Sequence, residues 1–442
     1  MKRLFYLILI SIFGLTDSYA YQLVERSLDN STIYPGTVHK YTVSIPDGYD
    51  GTEACLYVGL DGILCNAPAR IDSLIRIKAI PTMIGVYLQP GVVCDSAGNV
   101  IRYNRSNEFD AIDDRFSKFI ESELLPDVLE TVSPDGIPVK LRPGGENAMI
   151  YGLSSGGIAA FVAAWHNPDL FGKVYSGCGT FVPMRGGNEL QAIVRKAEPR
   201  ALRVFLQDGF SDTWNPLFGS WFEANTLMGS ALEFAGYDCK FDWAEGGHSV
   251  ARSSEIFDDV MVWLWKNHPS PAASGKTGNS TLAPLLENGG KWIKGNYTPY
   301  SSATDSISAY YPDKSHCVVP VSGSNYLWQY LIDSDGKLYA GQPFYWLHNY
   351  KNSTLAIGGM EFDGNGYIWI LTDVGIQICD QNGRVRGILN LPEGISNGEI
   401  GKSGISLEAG KITILTPSAT YTRKLNITPA IPGVRPESQG QG

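Results

Sequence analysis

The GLSSG segment at residues 152–156 contains the residues with the clearest chemical meaning in this sequence. An apolar strand candidate, 149–151, directly precedes the segment, and an alanine-rich helix candidate follows it at 156–165. A serine between glycines at a strand–turn–helix junction is typical of a nucleophile elbow, which presents the hydroxyl on a sharp turn above a sheet. The pattern therefore predicts Ser154 as a nucleophile, with Ser155 as its rival and an ordinary glycine-rich turn as the alternative.

A serine hydroxyl is a poor nucleophile until a nearby base accepts its proton. In folds built around such an elbow, an acid and then a histidine follow the serine along the chain. His248 follows the strand candidate 240–243 and two glycines, so we expect it on a loop at the carboxyl end of a strand, where open α/β sheets bind ligands. His166 and His268 each end a predicted helix, and both are interpreted as structural. His248 is the predicted general base.

The acid that orients the histidine is expected after the preceding strand candidate, 202–206. Asp208 lies at the end of this strand, and Asp212 lies in the loop beyond it. Asp212 is favoured because its Gly-x-x-Asp loop has room to reach an imidazole ring, whereas a turn-capping role would account for Asp208. Glu245 is a third candidate, but it lies close in sequence to His248.

Attack of a serine on a carbonyl leaves negative charge on the carbonyl oxygen, which needs N–H donors to stabilise it. One donor is expected from the residue after the nucleophile, the backbone of Ser155. The second is expected from the LDGI segment at 60–63, through Gly62 or Ile63, with a plain tight turn as the alternative. This chemistry needs no metal and no organic cofactor.

The elements that must position these residues alternate between strands and helices from residue 21 to residue 268. Short apolar runs predict strands, and apolar residues at helical spacing predict helices. The strand candidates are 41–45, 54–60, 82–88, 148–152, 174–178, 202–206 and 239–244, and the helix candidates are 71–80, 114–131, 156–165, 221–235 and 255–265. Repeated βα units of this kind predict an α/β fold, with a mostly parallel sheet covered on both faces.

The alternation stops at residues 269–284, a small, polar and proline-bearing stretch that predicts a linker. From 285 to 430 the helical periodicity is lost, and short strands with Asp-Gly and Asn-Gly turns recur. This pattern predicts a smaller all-β domain built from propeller blades or as a sandwich. The tail, 431–442, is predicted to be disordered.

The N-terminal segment 1–20 combines a cationic start, an apolar run and a Ser-Tyr-Ala end. These features predict a secretory signal peptide that is cleaved after Ala20. The apolar run is too short to span a bilayer comfortably, so the mature protein is expected to have no membrane span and to be secreted or periplasmic.

Charge and cysteine content exclude several classes of partner and site. The formal net charge of −10, without a basic cluster beyond the N-terminus, disfavours a nucleic-acid partner. The seven cysteines form no CxxC pair, which disfavours zinc-ribbon and thioredoxin chemistry. Cys65 and Cys94 are one candidate disulfide pair. The oligomeric state is left open.

Together, the segments from about residue 34 to residue 268 resemble the enterochelin-esterase-like and feruloyl-esterase branch of the α/β hydrolases, carbohydrate esterase family one. The segments with this resemblance are LDG at 60–62, IPTMI at 80–84, PG at 90–91, RSNEFD at 105–110, ELLP at 123–126, GLSSGG at 152–157 and GGH at 246–248. In that branch the triad acid falls in a loop like 210–212, which supports Asp212. The resemblance also implies that 105–110 borders the active-site cleft, where Arg105 or Glu108 would contact substrate or form an ion pair that holds the loop. Asp61 and Trp214 are further candidates for substrate contact.

The C-terminal region resembles the end of the gluconolactonase and senescence-marker type of β-propeller. The matching segments are GGM at 358–360, DGNG at 363–366, GIQICD at 375–380 and NGR at 382–384. Gly358 stands where that family has a metal-binding aspartate, and the region is about half the length of a six-bladed propeller. The resemblance therefore implies a truncated, propeller-like region for packing or carbohydrate binding rather than a second enzyme.

These expectations combine into an exported serine carboxylesterase that cleaves feruloyl, other hydroxycinnamoyl or acetyl esters on plant polysaccharide or oligosaccharide. A siderophore esterase of the enterochelin type is the alternative with the same mechanism. A non-catalytic carbohydrate-binding protein on the same fold is the alternative from a different class.

Overall fold

The computed structural model describes residues 21–29, 31–273, 281–286, 290–296 and 307–438. The predicted signal peptide lies outside the described residues, and so do 274–280 of the predicted linker and the last four residues of the predicted tail. Among the described residues, no helix combines the length and apolar character that crossing a membrane requires.

The first part of the chain builds one large sheet with helices packed against it. A π-helical turn, Ile120–Leu124, and two short 3₁₀ turns, Gly145–Asn147 and Gly187–Glu189, accompany the main elements. The main elements are β1 (Gln22–Leu28), β2 (His39–Ile45), β3 (Cys55–Leu60), α1 (Ala67–Arg76), β4 (Met83–Leu88), β5 (Val92–Cys94), β6 (Val100–Tyr103), α2 (Arg105–Phe109), α3 (Arg115–Phe119), α4 (Leu125–Leu129), β7 (Ala148–Leu153), α5 (Ser155–His166), β8 (Lys173–Gly177), α6 (Leu190–Lys196), β9 (Arg203–Gly209), β10 (Trp214–Asn215), β11 (Gly219–Ser220), α7 (Trp221–Phe234), β12 (Asp238–Ala244), α8 (Val250–Glu255) and α9 (Phe257–Leu264).

The large sheet has eight strands in the order β1-β2-β4-β3-β7-β8-β9-β12. β2 is antiparallel to both of its neighbours, and every pair from β4 to β12 is parallel. The predicted α/β class with a mostly parallel sheet is confirmed. Since the carboxyl ends of parallel strands meet at one edge, the loops after β3, β7, β8, β9 and β12 form one surface.

Two hydrophobic cores lie against the sheet because successive side chains of a strand point to opposite faces. Along β3, Leu56 and Val58 belong to the core that includes α5 and α7, whereas Cys55 and Tyr57 belong to the core that includes α1 and α9. In α5 every residue except the last is buried. A helix without a polar face is held by packing on all sides, and this fixes the turn directly before it.

The observed elements differ from the predictions where backbone bonding overrides periodicity. The predicted helix 114–131 is divided into α3, the π-helical turn and α4. In that turn the Leu125 N–H bonds to the Ile120 carbonyl oxygen, just before Pro126, which has no N–H to donate. β9 continues to Gly209, beyond its predicted end. β1, α6 and the β5–β6 hairpin have no counterpart among the predicted elements.

The described residues after the α/β part, which ends with α9, are mostly β-strands. Three four-stranded antiparallel sheets form, in the orders β14-β15-β16-β17, β18-β19-β20-β21 and β13-β24-β23-β22, with the bounds given next. These elements are α10 (Leu282–Leu286), β13 (Ile293–Gly295), β14 (Ala309–Tyr310), β15 (His316–Pro320), β16 (Tyr326–Ile332), β17 (Leu338–Trp346), β18 (Ile357–Phe362), β19 (Ile368–Thr372), β20 (Gly375–Cys379), β21 (Val385–Leu389), α11 (Asn397–Ile400), β22 (Gly404–Glu408), β23 (Lys411–Leu415) and β24 (Thr420–Lys424). The predicted smaller all-β domain is confirmed, whereas its relation to propellers stays a prediction.

The all-β part contacts the α/β part near the C-terminal ends of α5 and α6. Two nitrogens of Arg423 bind the carboxylate oxygens of Glu198 at 2.8 and 2.6 Å. The ring of Trp165, at the end of α5, lies 5.3 Å from the ring of Tyr350, centre to centre. Because a helix of twelve residues is about 18 Å long, this contact lies far from Ser154 at the other end of α5.

All seven cysteines are free thiols. The candidate disulfide between Cys65 and Cys94 is therefore not formed. Cys65 is buried, and its sulfur lies 3.3 Å from the Tyr151 hydroxyl. In the segment after residue 430, which was predicted to be disordered, the Gly433 N–H donates to the Pro312 carbonyl oxygen at 2.8 Å.

Candidate active site

Ser154 lies in the turn between β7 and α5 with φ 61° and ψ −122°, a strained conformation for a residue with a side chain. The glycines on either side make this turn sterically accessible. A Cβ atom on Gly152 would lie 2.1 Å from the Gly156 carbonyl oxygen, so the strand and the helix approach closely only without side chains. The turn is fixed to the loop after β8, because Ser154 N–H donates to Gly177 O and Ser154 O accepts from Thr180 N–H.

The Ser154 hydroxyl contacts a small polar cluster from two neighbouring elements. Its Oγ atom lies 3.4 Å from Thr180 Oγ1, which also accepts a hydrogen bond from Trp221 Nε1 at 3.2 Å. The Trp221 ring in turn lies 6.1 Å from the His248 ring, edge to face. Ser154 and His248, both described, form no hydrogen bond with each other here. In enzymes without substrate, catalytic hydrogen bonds are often long and shorten when substrate binds.

His248 and Asp212 are brought together from loops that follow adjacent parallel strands, β12 and β9. His248 Nδ1 lies 2.7 Å from Asp212 Oδ1. The Asp212 side chain is fully buried, and the His248 side chain is 28% exposed. Since a carboxylate can only accept, Nδ1 holds the proton and Nε2 is left able to accept one.

Glycines in the two loops allow this pairing. The Phe210 N–H donates to the Ala244 carbonyl oxygen, and the Ser211 N–H donates to the Gly246 carbonyl oxygen, both at 2.9 Å. A Cβ atom on Gly209 would lie 2.3 Å from that same Gly246 oxygen. The loops therefore continue the parallel pairing of β9 and β12 beyond the strand ends and deliver both side chains to one point.

The two aspartates of this region have opposite electrostatic character. Burial raises the pKa of Asp212, but hydrogen bonds from His248, Asp208 and the Thr213 backbone outweigh it and lower the pKa to about 2. Burial, together with the hydrogen bond and the charge of Asp212, raises the pKa of Asp208 to about 8. At neutral pH Asp212 is therefore the anion that faces the imidazole. Glu245, the third candidate acid, lies on the exposed surface.

The predicted oxyanion donors differ in availability. Ser155 begins α5, and the first N–H groups of a helix have no carbonyl partner within it. The Gly62 N–H is donated to the Leu88 carbonyl oxygen at 3.0 Å, so Gly62 is not an available donor, contrary to the prediction. The Ile63 N–H makes no hydrogen bond within the described residues and remains as the second donor.

Asp61 and Arg105 hold the loop that contains Ile63. Arg105 Nε and Nη2 bind the two Asp61 carboxylate oxygens at 2.7 and 2.8 Å, a bidentate ion pair. Asp61 itself has a left-handed φ of 63°, and its Oδ2 atom lies beside Gly156 at the start of α5. The ion pair therefore connects α2 to the loop that contains Ile63, in agreement with the alternative that Arg105 holds a loop through an ion pair.

Glu108 is buried, which gives it a structural role in place of the predicted substrate contact. One of its oxygens lies 3.0 Å from His39 Nε2 and accepts from Asn104 Nδ2 at 2.6 Å. The other accepts the Gly91 N–H at 3.0 Å. This network fixes the start of α2, and thereby Arg105, to the body of the sheet.

An exposed group of large apolar side chains lies on loops at the carboxyl ends of β3 and β9. We call Ile63, Phe210, Trp214 and Leu217 the apolar rim. Trp214 and Leu217 are 70% and 79% exposed, in and near the β10–β11 hairpin. β7 and β8 separate β3 from β9 in the sheet, but the carboxyl ends of all four strands lie at one sheet edge, where open α/β sheets bind ligands.

Sequence reasoning missed Thr180, Trp221 and Cys178, which all lie near the Ser154 hydroxyl or the Asp212–His248 pair. The position of 178–180 after β8, at the same sheet edge, was the available signal. In the described residues, one group has ligand atoms that could meet at a metal ion, namely Cys178, Asp212 and His248. Burial raises the pKa of the Cys178 thiol far above neutral, so the thiolate that a metal would need is disfavoured.

Comparisons with known proteins give a family and several similar structures. The Esterase family model matches residues 35–265, more than half of the chain. No curated protein sequence matches the chain. One similar solved structure is a ferulic acid esterase, with 16% identity, a TM-score of 0.42, and coverage of 56% of this chain and 98% of that chain.

Two further similar structures have comparable scores. The enterochelin esterase from Shigella flexneri has 21% identity and a TM-score of 0.41, and the match covers 55% of this chain and 58% of that enzyme. This chain therefore spans somewhat more than half the length of the Shigella enzyme. The CE1 ferulic acid esterase of the anaerobic fungus Anaeromyces mucronatus has 15% identity and a TM-score of 0.42, with 57% of this chain and 94% of that enzyme covered.

Proposed function

This chain belongs to the Esterase family, and from that membership we propose that it is a serine carboxylesterase with Ser154, Asp212 and His248 as its catalytic triad. The observation that supports the triad most directly is the 2.7 Å contact between His248 Nδ1 and Asp212 Oδ1. It lies on the sheet edge that also presents the strained turn of Ser154. A nucleophile, a base and an orienting acid are thus supplied by loops after β7, β12 and β9.

In the proposed mechanism Ser154 Oγ attacks the ester carbonyl carbon while His248 Nε2 takes the hydroxyl proton. The carbonyl oxygen becomes an oxyanion, which the N–H groups of Ser155 and Ile63 stabilise. The C–O bond to the alcohol then breaks, and His248 returns the proton to the departing oxygen. Water attacks the acyl-enzyme by the same proton route and releases the carboxylic acid and the free serine.

The substrates that we propose are feruloyl or other hydroxycinnamoyl esters of plant polysaccharide or oligosaccharide, with acetyl esters as the second choice. The apolar rim supports an aromatic acyl group, because a ring can cover apolar surface that an acetyl group would leave exposed to water. The signal-peptide prediction supports action outside the cytoplasm, in the periplasm or in the medium.

Hydrolysis of methyl ferulate and of p-nitrophenyl acetate by the mature chain tests the activity. We expect Ser154→Ala to lower kcat by a factor on the order of 10⁴ or more, because the nucleophile is lost. The matched control is Ser122→Ala, which removes a serine from the exposed surface of the π-helical turn. A fluorophosphonate probe followed by peptide mass spectrometry should label Ser154 and not Ser155. Activity of Ser154→Ala equal to that of the wild type would contradict the mechanism.

A substrate panel separates the alternatives. It should contain feruloylated and acetylated xylan oligosaccharides and a cyclic triester of dihydroxybenzoylserine, compared by kcat/KM. Highest kcat/KM on the feruloyl oligosaccharide is the expected result. Preference for the cyclic triester would favour a siderophore esterase. Sugar binding without cleavage of any ester would favour the non-catalytic carbohydrate-binding protein.

A further inference from the structure

Asp208, the alternative acid of the sequence analysis, is fully buried near the end of β9 and does not contact the imidazole of His248. Its Oδ1 atom accepts the Gly209 N–H at 2.7 Å, but its Oδ2 atom finds no donor among the described N–H and O–H groups. The Oδ2 atom of Asp212 is also buried without such a donor. Buried carboxylate oxygens without donors are costly, so both atoms require an explanation.

A proton shared between the two carboxyl groups would give each of these buried oxygens a hydrogen-bond partner. Asp208 and Asp212 flank a tight turn in which the Asp212 N–H donates to the Gly209 carbonyl oxygen at 3.0 Å, and each carboxyl group shifts the pKa of the other. Two ionised carboxylates can only accept, so a hydrogen bond between them requires one proton on the pair. With that proton in place, each Oδ2 atom gains a partner, and one negative charge rather than two is buried.

The surroundings decide which carboxyl holds the proton. The ionised form of Asp212 is stabilised by His248 Nδ1–H and by the Thr213 N–H, which both donate to its Oδ1 atom. Asp208 receives one backbone N–H, whereas the Cys178 thiol donates to the Ser249 carbonyl oxygen. The pKa of Asp208 is accordingly raised by burial and by the adjacent Asp212, and the pKa of Asp212 stays low.

We propose that Asp208 is a positioning residue of this esterase, whose protonated carboxyl donates Oδ2–H to Asp212 Oδ2 and holds the triad acid against His248. The inference rests on the proposed function, since it assigns Asp212 to the triad. A neutral donor suits this place because it donates a hydrogen bond to the Asp212 oxygen without cancelling the negative charge of Asp212. That charge stabilises the imidazolium form of His248. A lysine or arginine in the same position would neutralise that charge.

The shared proton makes the site sensitive to alkaline pH. The titratable groups that face Asp208 are Asp212 from its own loop, Cys178 from the loop after β8 and, through Asp212, His248 from the loop after β12. None of them is a fixed cation that would compensate a second negative charge. When Asp208 ionises near pH 8, repulsion replaces the hydrogen bond, and Asp212 loses its support.

The same titration changes stability in a predictable direction. The pKa of Asp208 is about 8 in the folded protein, against 3.8 for the ordinary carboxyl. Between these pH values the folded protein holds a proton that the unfolded chain releases, so the free energy of unfolding decreases as the pH rises. Asp208→Asn keeps an N–H donor toward Asp212 but cannot titrate. The free energy of unfolding of this variant should therefore lack the decrease with rising pH that Asp208 causes.

The experiment compares wild type, Asp208→Asn and Asp208→Ala as full mature chains, with Asp169→Asn at an exposed position as the matched control. We expect Asp208→Ala to lower kcat on p-nitrophenyl acetate about tenfold or more with KM nearly unchanged, because Asp212 loses its donor. Asp208→Asn should rescue kcat to within about threefold and should lack the alkaline decline in kcat that we expect for the wild type near pH 8.

The proposal would be overturned if Asp208→Ala had the kcat of the wild type. It would also be overturned if Asp208→Asn lost as much kcat as Asp208→Ala, or if kcat of Asp208→Asn still declined at alkaline pH. If Asp208→Ala does not fold, the Asn variant decides through its pH profile. Thermal unfolding tests the shared proton independently of turnover, even if no ester is cleaved. A Tm gain of Asp208→Asn over wild type that does not grow between pH 5 and pH 8 would refute it.

Discussion

At the scale of single residues, the orientation of His248 depends on one carboxylate. Asp212 is buried, ionised at neutral pH and bonded to Nδ1, so it selects the tautomer whose Nε2 can accept the serine proton. Its low pKa also contributes stability that is present above the ordinary carboxyl pKa of 3.8 and is lost as the pH falls through about 2. In the proposed mechanism, catalysis and acid stability therefore depend on the same side chain.

Replacement of Asp212 by asparagine should lower kcat by about 10⁴-fold with a well-folded protein, because an amide can impose the wrong imidazole tautomer. Steady-state kinetics on p-nitrophenyl acetate measures the loss. Glu245→Gln is the control, since Glu245 is the exposed rival acid in the loop that contains His248. A large loss in Glu245→Gln with near-normal Asp212→Asn would place the acid at Glu245 instead.

Local sequence patterns predicted the strained turn at Ser154 and the pairing of His248 with Asp212, and the structure contains both, while the catalytic roles stay predictions. The glycines around Ser154 and those before His248 are visible in the sequence, and the order of serine, acid and histidine follows from the strand order. The role of Asp208 was not visible, because it depends on how far β9 extends and on which carboxyl a neighbouring loop brings beside it.

At the scale of elements, the loop that contains Ile63 shows that strand register decides which backbone N–H groups stay free. β3 and β4 pair in parallel up to Leu60 and Leu88, and the same ladder continues one step further when Gly62 N–H reaches the Leu88 oxygen. The sequence segment LDGI cannot reveal which of its N–H groups this ladder uses. The bidentate pair of Asp61 with Arg105 then fixes what remains of the loop to α2.

Arg105→Gln and Asp61→Asn should each lower kcat about tenfold with little change in KM, because both release the loop that contains the Ile63 N–H. The double variant should lose no more than either single variant, since the two changes remove one shared interaction. Kinetic parameters of the three variants on methyl ferulate measure this. A raised KM in Arg105→Gln alone would instead show direct substrate contact by Arg105.

At the scale of the whole molecule, the all-β part is attached at the end of α5 that lies away from Ser154. Its principal ion pair, Arg423 with Glu198, is largely shielded from water, at 9% and 16% side-chain exposure. The confirmed division into an α/β and an all-β part followed from the loss of helical periodicity after residue 269, whereas this mode of contact has no local sequence signal. We therefore expect the all-β part to affect stability more than ester cleavage.

Glu198→Gln should lower the free energy of unfolding by about 1–3 kcal/mol, because it leaves the Arg423 charge without its partner in a shielded place. Its kcat on p-nitrophenyl acetate should match the wild type. Thermal unfolding and steady-state kinetics measure the two effects, with the exposed Glu393→Gln as the control. A kcat loss that parallels the stability loss would show that the two parts are coupled through α5.

The seven free thiols determine how the stability of the fold responds to redox conditions. Burial raises the pKa of Cys55 and Cys239 to about 11 and that of Cys178 and Cys379 further, so these sulfurs stay protonated and react slowly with oxidants. The fold has no covalent cross-link to form or to break. Its stability should therefore not depend on the redox potential of its surroundings.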